Sequence, residues 1–179
     1  MLLYLLAERF LGLPQVLCKM DLKTDTKVHY HGADGVYASV SEKGVLKLFW
    51  GESKVYSDPT DAVRDCLKSL APFLVEEDHE GASRERDLVL LSDKADLSDP
   101  KLTDAFKQYF NKNSPLSNRV EYCGVGLIGF DTSFYPAEDA KGVADEIKEA
   151  ARKEMSHWLK NVSNRLTIEK LQHFDIQLF

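Results

Sequence analysis

The stretch from Ala33 to Tyr56, ADGVYASVSEKGVLKLFWGESKVY, constrains the fold more than any other part of the chain. It reads as two β-strands joined by a tight turn at Glu42-Lys43-Gly44. Three-residue hairpin loops commonly end in a residue with positive φ, which glycine adopts without a steric penalty. With that turn Val40 faces Leu46, Ala38 faces Leu48, Val36 faces Trp50, and Asp34 stands opposite Glu52. Side chains alternate along a strand, so these pairs share one face, and Lys54 joins them two residues beyond Glu52. A two-residue loop would instead set Asp34 opposite Gly51.

Two carboxylates at the end of an otherwise apolar face need a physical reason. Directly opposed Cβ atoms lie about 4.5–5.5 Å apart, and like charges there repel. A divalent cation between them removes the repulsion. Mg²⁺ takes oxygen ligands and keeps several waters, so two carboxylates and a substrate phosphate suit it, with Mn²⁺ as a substitute. Lys54 would reach the same volume, where an ammonium can orient a water or stabilise charge on a phosphoryl oxygen. The plainer alternative is a strand end opening into solvent, with three charged residues simply hydrated. The shared face and the junction with apolar pairs favour a site at Asp34, Glu52 and Lys54.

With 179 residues the chain has the size of one domain able to bury a real core. No apolar run approaches the roughly 18–20 residues of a membrane span. Cys18, Cys66 and Cys123 lack metal-type spacing and sit among apolar neighbours, which reads as reduced core cysteines of a cytoplasmic protein. The five histidines form no zinc signature. A net charge of −6 argues against a free-standing DNA binder, whose affinity rests largely on lysine and arginine, but leaves room for a nuclease whose substrate a partner delivers.

Residues 2–11 read as a helix with Leu2, Leu5, Leu6 and Phe10 inward, ended by Gly12 and Pro14. Glu8 flanks that face and can point toward the hairpin, although a hydrated helix-surface glutamate is an equal reading. The helix starts without a capping residue, which suggests a fragment cut within it. Gln15 to Lys23 alternates as a half-buried strand, followed by a polar connection carrying Lys27, His29 and His31. Ser57-Asp58-Pro59 starts a helix whose Ala62, Val63, Cys66, Leu67, Leu70 and Phe73 face the sheet. Glu76 to Arg86 reads as a charged surface loop, and Asp87 to Leu91 leans to helix. Ser98-Asp99-Pro100 repeats the helix start, with Leu102, Phe106, Tyr109 and Phe110 buried. Val120 to Phe130 is β-prone and nearly uncharged, an interior strand whose glycines serve packing rather than phosphate binding. Glu138 to Asn161 reads as a long helix with Val143, Ile147, Ala151 and Leu159 inward, and Phe174 to Phe179 as a last strand. No internal boundary is visible, so residues 1–179 read as a single domain.

The order helix, strand, hairpin, helix, strand, with Asp34 on one hairpin strand and Glu52-Ser53-Lys54 on the next, resembles the PD-(D/E)XK nuclease superfamily. That resemblance implies an α/β, restriction-endonuclease-like mixed sheet with flanking helices. A closer resemblance runs through LLAERFLGLPQVLCKMDLKTDTKVHYHGADGVYA, FWGESKVYSDPTDAV and VGLIGFDTSFYP, which are similar to the C-terminal domain of the HamA family, the nuclease subunits of the Hachiman antiphage system. It implies Asp34 and Glu52 as metal ligands, Lys54 as the catalytic lysine and Glu8 as a further ligand from the first helix. It also implies DNA as substrate and a helicase partner, HamB. The same resemblance implies a further region before Met1, so that this sequence is expected to be a fragment. The leading reading is a Mg²⁺-dependent deoxyribonuclease; the alternative is a nuclease-fold module that docks on a helicase or on DNA without cutting.

Overall fold

The computed structural model describes residues 1–18, 33–75, 82–93, 99–117, 119–135 and 144–179. Gly44 takes φ +75°, and Ser41 closes the turn: its N–H donates to Val45 O at 2.9 Å and its hydroxyl accepts from Val45 N at 3.1 Å. The strands it joins, β2 (Gly35–Val40) and β3 (Leu46–Tyr56), pair antiparallel from Val40↔Leu46 through Val36↔Trp50 to Gly35↔Gly51. This is the register expected from the three-residue turn.

The sheet has five strands in sequence order, and is mixed. β1 (Gln15–Cys18) lies antiparallel beside β2, while β4 (Val120–Phe130) lies parallel to β3 and β5 (Ile176–Leu178) parallel to β4. The remainder of the strand expected to run to Lys23, with Lys27, His29 and His31, lies outside the described residues. β3 and β4 match over their whole length, from Leu46↔Val120 to Tyr56↔Phe130. β3 therefore continues from Glu52 to Tyr56 past the point where β2 ends.

Helix α2 (Pro59–Leu74) covers the face that carries Val36, Ala38, Leu46, Leu48 and Trp50. Its start is set by Asp58, whose Oδ1 accepts from Thr60 N at 2.7 Å and Asp61 N at 3.0 Å, with Pro59 at the first helical position. Ala62, Val63, Cys66, Leu67, Leu70 and Phe73 are all buried, as the periodicity predicts. Trp50 is fully buried against Phe73, ring centroids 6.0 Å apart, and Tyr122, 5.6 Å. Helix α3 (Ala82–Asp93) fastens to the same tryptophan, because Trp50 Nε1 donates to the buried Asp87 Oδ2 at 2.9 Å. The Arg84 guanidinium lies 4.4 Å from the centre of the Tyr122 ring. The charged stretch expected to be loop up to Arg86 is thus helical from residue 82 onward. The second half of α3 is the Asp87 to Leu91 run that leans to helix in sequence; for the first half, Arg84 on the partly buried Tyr122 ring supplies the reason.

Helix α4 (Pro100–Phe110) starts on an Asp99 cap and buries Leu102, Phe106 and Tyr109. Phe110, expected inside, is partly exposed and packs edge-on against Tyr109. The long helix α5 (Ala144–Ile168) ends later than expected, and Val143 lies outside the described residues. Ile147 and Ala151 are half-buried, but Leu159 is exposed and Trp158 turns inward instead. Helix α1 (Leu2–Leu11), closed by Gly12 at φ +62°, packs on the opposite sheet face, against Tyr37, Phe49, Cys123 and Val125. It is rotated from the expected setting: Leu3 and Ala7 are buried, while Leu2, Leu5 and Phe10 are exposed. The reason is steric. Gly51 carries no side chain, so Tyr37 Cε2 and Leu3 Cδ2 come within 2.7 and 3.2 Å of where a Cβ would stand, and the small Ala7 lets the helix come close. No helix among the described residues is long and apolar enough to cross a membrane.

Gly126, paired with Glu52 across β3 and β4, has no room for a side chain. An added Cβ would lie 2.7 Å from Leu178 Cδ2 and 2.9 Å from Cys66 Sγ. Gly126→Ala is expected to lower stability by about 1–3 kcal/mol, as overpacked cores do; a urea midpoint equal to that of the parent would overturn this packing account.

Candidate active site

The end of the sheet where β3 outruns β2 is where the acidic residues gather. The backbone ladder stops at Gly35↔Gly51, and Asp34 lies one residue outside β2. Its N–H donates to Gly51 O at 2.8 Å, and its carboxylate Oδ2 accepts from Ser53 N at 3.0 Å. The Asp34 side chain thus takes a donor that a longer β2 would have met with backbone. This fixes the carboxylate beside the unpaired edge of β3.

On β3, Glu52 points to the α2 side with Trp50 and Leu48, and only 6% of it is exposed. Lys54, two residues on, donates from Nζ to Glu52 Oε1 at 2.5 Å. Burial alone would lower the Lys54 pKa. The hydrogen bond and charge of Glu52, with the charge of Asp34, outweigh it and hold the ammonium above its ordinary value of 10.5. The structure therefore brings Asp34, Glu52 and Lys54 to one place, with Lys54 cationic at neutral pH.

Two nearby groups are held in their protonated forms at neutral pH. The Cys66 thiol on α2 is pushed up to about 12, first by burial and then by the Glu52 charge. Tyr37, on the other face, is pushed up to about 12 by burial, with contributions from Asp34 and Tyr4. A carboxylate that sequence reading did not single out also approaches the site. Asp65, on α2, accepts from Arg64 Nε at 2.8 Å. That hydrogen bond, together with one from Tyr56 and the charges of Arg64 and Lys54, overcomes burial and holds its carboxyl below the ordinary 3.8. Its signal in sequence is only a position on α2 that the fold turns toward Lys54.

Glu8 projects from α1, whose Leu3 and Ala7 pack on the opposite side of the sheet from Glu52. Its carboxylate bonds the Tyr4 hydroxyl and raises that group's pKa. Among the described residues no group of three His, Cys, Asp or Glu side chains is placed to hold a metal ion. Among the described residues, Asp34 and Glu52 are the carboxylates that the site would offer an ion. Hard oxygen donors of that number fit Mg²⁺, which draws its remaining ligands from water and substrate, better than they fit zinc, which favours nitrogen and sulfur.

A family model for HamA matches residues 1–179, the whole chain. The chain belongs to the HamA family. Membership in the HamA family points to a role in Hachiman antiphage defence. No curated protein and no solved structure matches the chain.

Replacing Lys54 by methionine removes the ammonium from a buried carboxylate and is expected to lower stability by about 1–3 kcal/mol near neutral pH. Because the folded-state pKa of Lys54 is raised, its contribution is complete below about pH 10.5 and is lost as pH climbs through the folded value. Urea titrations from pH 7 to 11 should show the gap between parent and Lys54→Met closing at the alkaline end; a gap that stays constant would contradict the ion pair as its source.

Proposed function

We propose that this HamA-family chain is a metal-dependent deoxyribonuclease of the PD-(D/E)XK type, acting in Hachiman defence alongside a helicase. The observation that carries the reading is the Lys54–Glu52 ion pair standing beside the Asp34 carboxylate at the open end of β3. Asp34 and Glu52 are the residues that would hold Mg²⁺ or Mn²⁺. When bound, such an ion polarises a phosphoryl oxygen and lowers the pKa of a coordinated water. Glu8, carried by α1, enters this reading as a further acid that the first helix would contribute.

Lys54 has a definite part in this scheme. Its pKa is raised, so it is a poor general base and a good donor. It holds the attacking water and meets negative charge developing on the phosphoryl oxygens, and Glu52 keeps its ammonium in place. Asp34, held by Ser53 N, stays oriented toward the same point. The net charge of −6 leaves phosphate binding to be supplied from outside, which is the argument for a helicase that delivers DNA. The same acidity favours the second reading, a nuclease-fold module that docks without cutting.

The test is plasmid cleavage by the full chain, alone and with its candidate helicase, in Mg²⁺ or Mn²⁺. Glu52→Ala and Lys54→Ala should each lower the rate by about 10²–10³-fold, the scale of losing one preorganised charge contact, and chelation should abolish it. Cleavage that survives both substitutions would sink the proposed site. Helicase binding without cleavage under any condition would favour the docking module.

A further inference from the structure

A second feature lies at the same end of the sheet, where β4 leaves it. Phe130 is the last residue of β4 and pairs with Tyr56, two positions beyond Lys54. Its ring meets the Trp158 indole of α5 edge-on, centroids 5.0 Å apart at 74°, and Phe134 lies 6.4 Å from the same indole at 31°. The three rings line a cavity of about 250 Å³. Asp131 and Glu154 line it too, and neither forms an ion pair or side-chain hydrogen bond among the described residues. The Thr132 hydroxyl, also in the lining, is buried without a hydrogen-bond partner in the structure.

We propose that this aromatic cage receives an arginine side chain from a partner protein. Each component fits a guanidinium. Aromatic faces attract cations through the ring quadrupole, most strongly indole. The guanidinium is planar, weakly hydrated and carries five N–H donors, so it stacks on rings and bonds carboxylates together. Asp131 and Glu154 supply the charge, and the Thr132 oxygen is an acceptor in need of a donor. A nucleotide suits the cavity poorly, since its phosphate would meet two carboxylates that no cation offsets among the described residues. A protein with net charge −6 also draws basic partners over long range. At about 3.3 Å per strand residue, the Phe130 position lies about 7 Å along β3 from Lys54. A partner anchored there borders the end of the sheet that holds Asp34, Glu52 and Lys54. The inference does not require that the chain cuts DNA.

Trp158 provides the readout, because the other tryptophan, Trp50, is fully buried. The full chain is titrated with a capped peptide carrying one arginine, with the same peptide carrying citrulline, and with a short oligothymidylate. The arginine peptide should give a saturable change in emission, and the citrulline peptide should bind at least about tenfold more weakly, the cost of losing the charge. Asp131→Asn and Glu154→Gln should each weaken arginine binding several-fold with unchanged circular dichroism. By peptide NMR, Trp158→Phe should retain binding and Trp158→Ala should lose it. No saturable change, equal binding of the citrulline peptide, indifference to both acid substitutions, or tighter binding of the oligonucleotide would each overturn the proposal, the last making the cage a base-stacking site.

Discussion

The parallel pairing of β3 with β4 is the constraint on which the rest of the structure depends. It runs the full length of both strands and carries β3 beyond the end of β2. An edge left in this way has backbone donors to satisfy. Asp34 satisfies one with its side chain, and in doing so becomes a fixed carboxylate beside Glu52 and Lys54. Below this point the same strand is buried on both faces, by α2 on one side and α1 on the other. A rigid, doubly covered strand that emerges at one end is a precise support for charged groups, because its side chains inherit the order of the core.

Electrostatics at that end are arranged around one ammonium. Glu52 is buried and would be costly as an isolated charge. Lys54 compensates it directly, and the charge of Asp34 adds to the field that keeps Lys54 protonated. Asp34 and Glu52 beside Lys54 offer the hard oxygen atoms that a divalent cation such as Mg²⁺ takes. Asp65 joins this field from α2, so the helix that covers the core also shapes the electrostatics of the site.

The surface around this end differs from what a solitary DNA-binding protein needs. The chain carries a net charge of −6, and a cavity near the site combines aromatic rings with carboxylates. Such a surface suits basic protein more than nucleic acid. The proposed nuclease chemistry and the proposed arginine cage therefore divide the same sheet end between them, one facing the substrate and the other facing whatever brings it.

Sequence by itself determined the hairpin register, the α/β order of elements and the two proline-started, aspartate-capped helices. Those features are local: Gly44 is needed for a positive φ, and Asp58 and Asp99 bond to amides within three residues. The register in turn placed Glu52 and Lys54 on the face of Trp50. Tertiary structure decided what depends on contacts distant in the chain. The rotation of α1, which buries Leu3 and Ala7, follows from packing on the face of Gly51 and Tyr37. The helix at 82–93 rests on Asp87 meeting Trp50 and Arg84 meeting Tyr122. Trp158 turned inward in place of Leu159 because Phe130 and Phe134 wait there, and helical periodicity has no knowledge of a partner surface. Local rules fix where the chain bends and which residues share a face, because those energies are settled within a few residues. Which face finds a partner is settled only when distant segments pack.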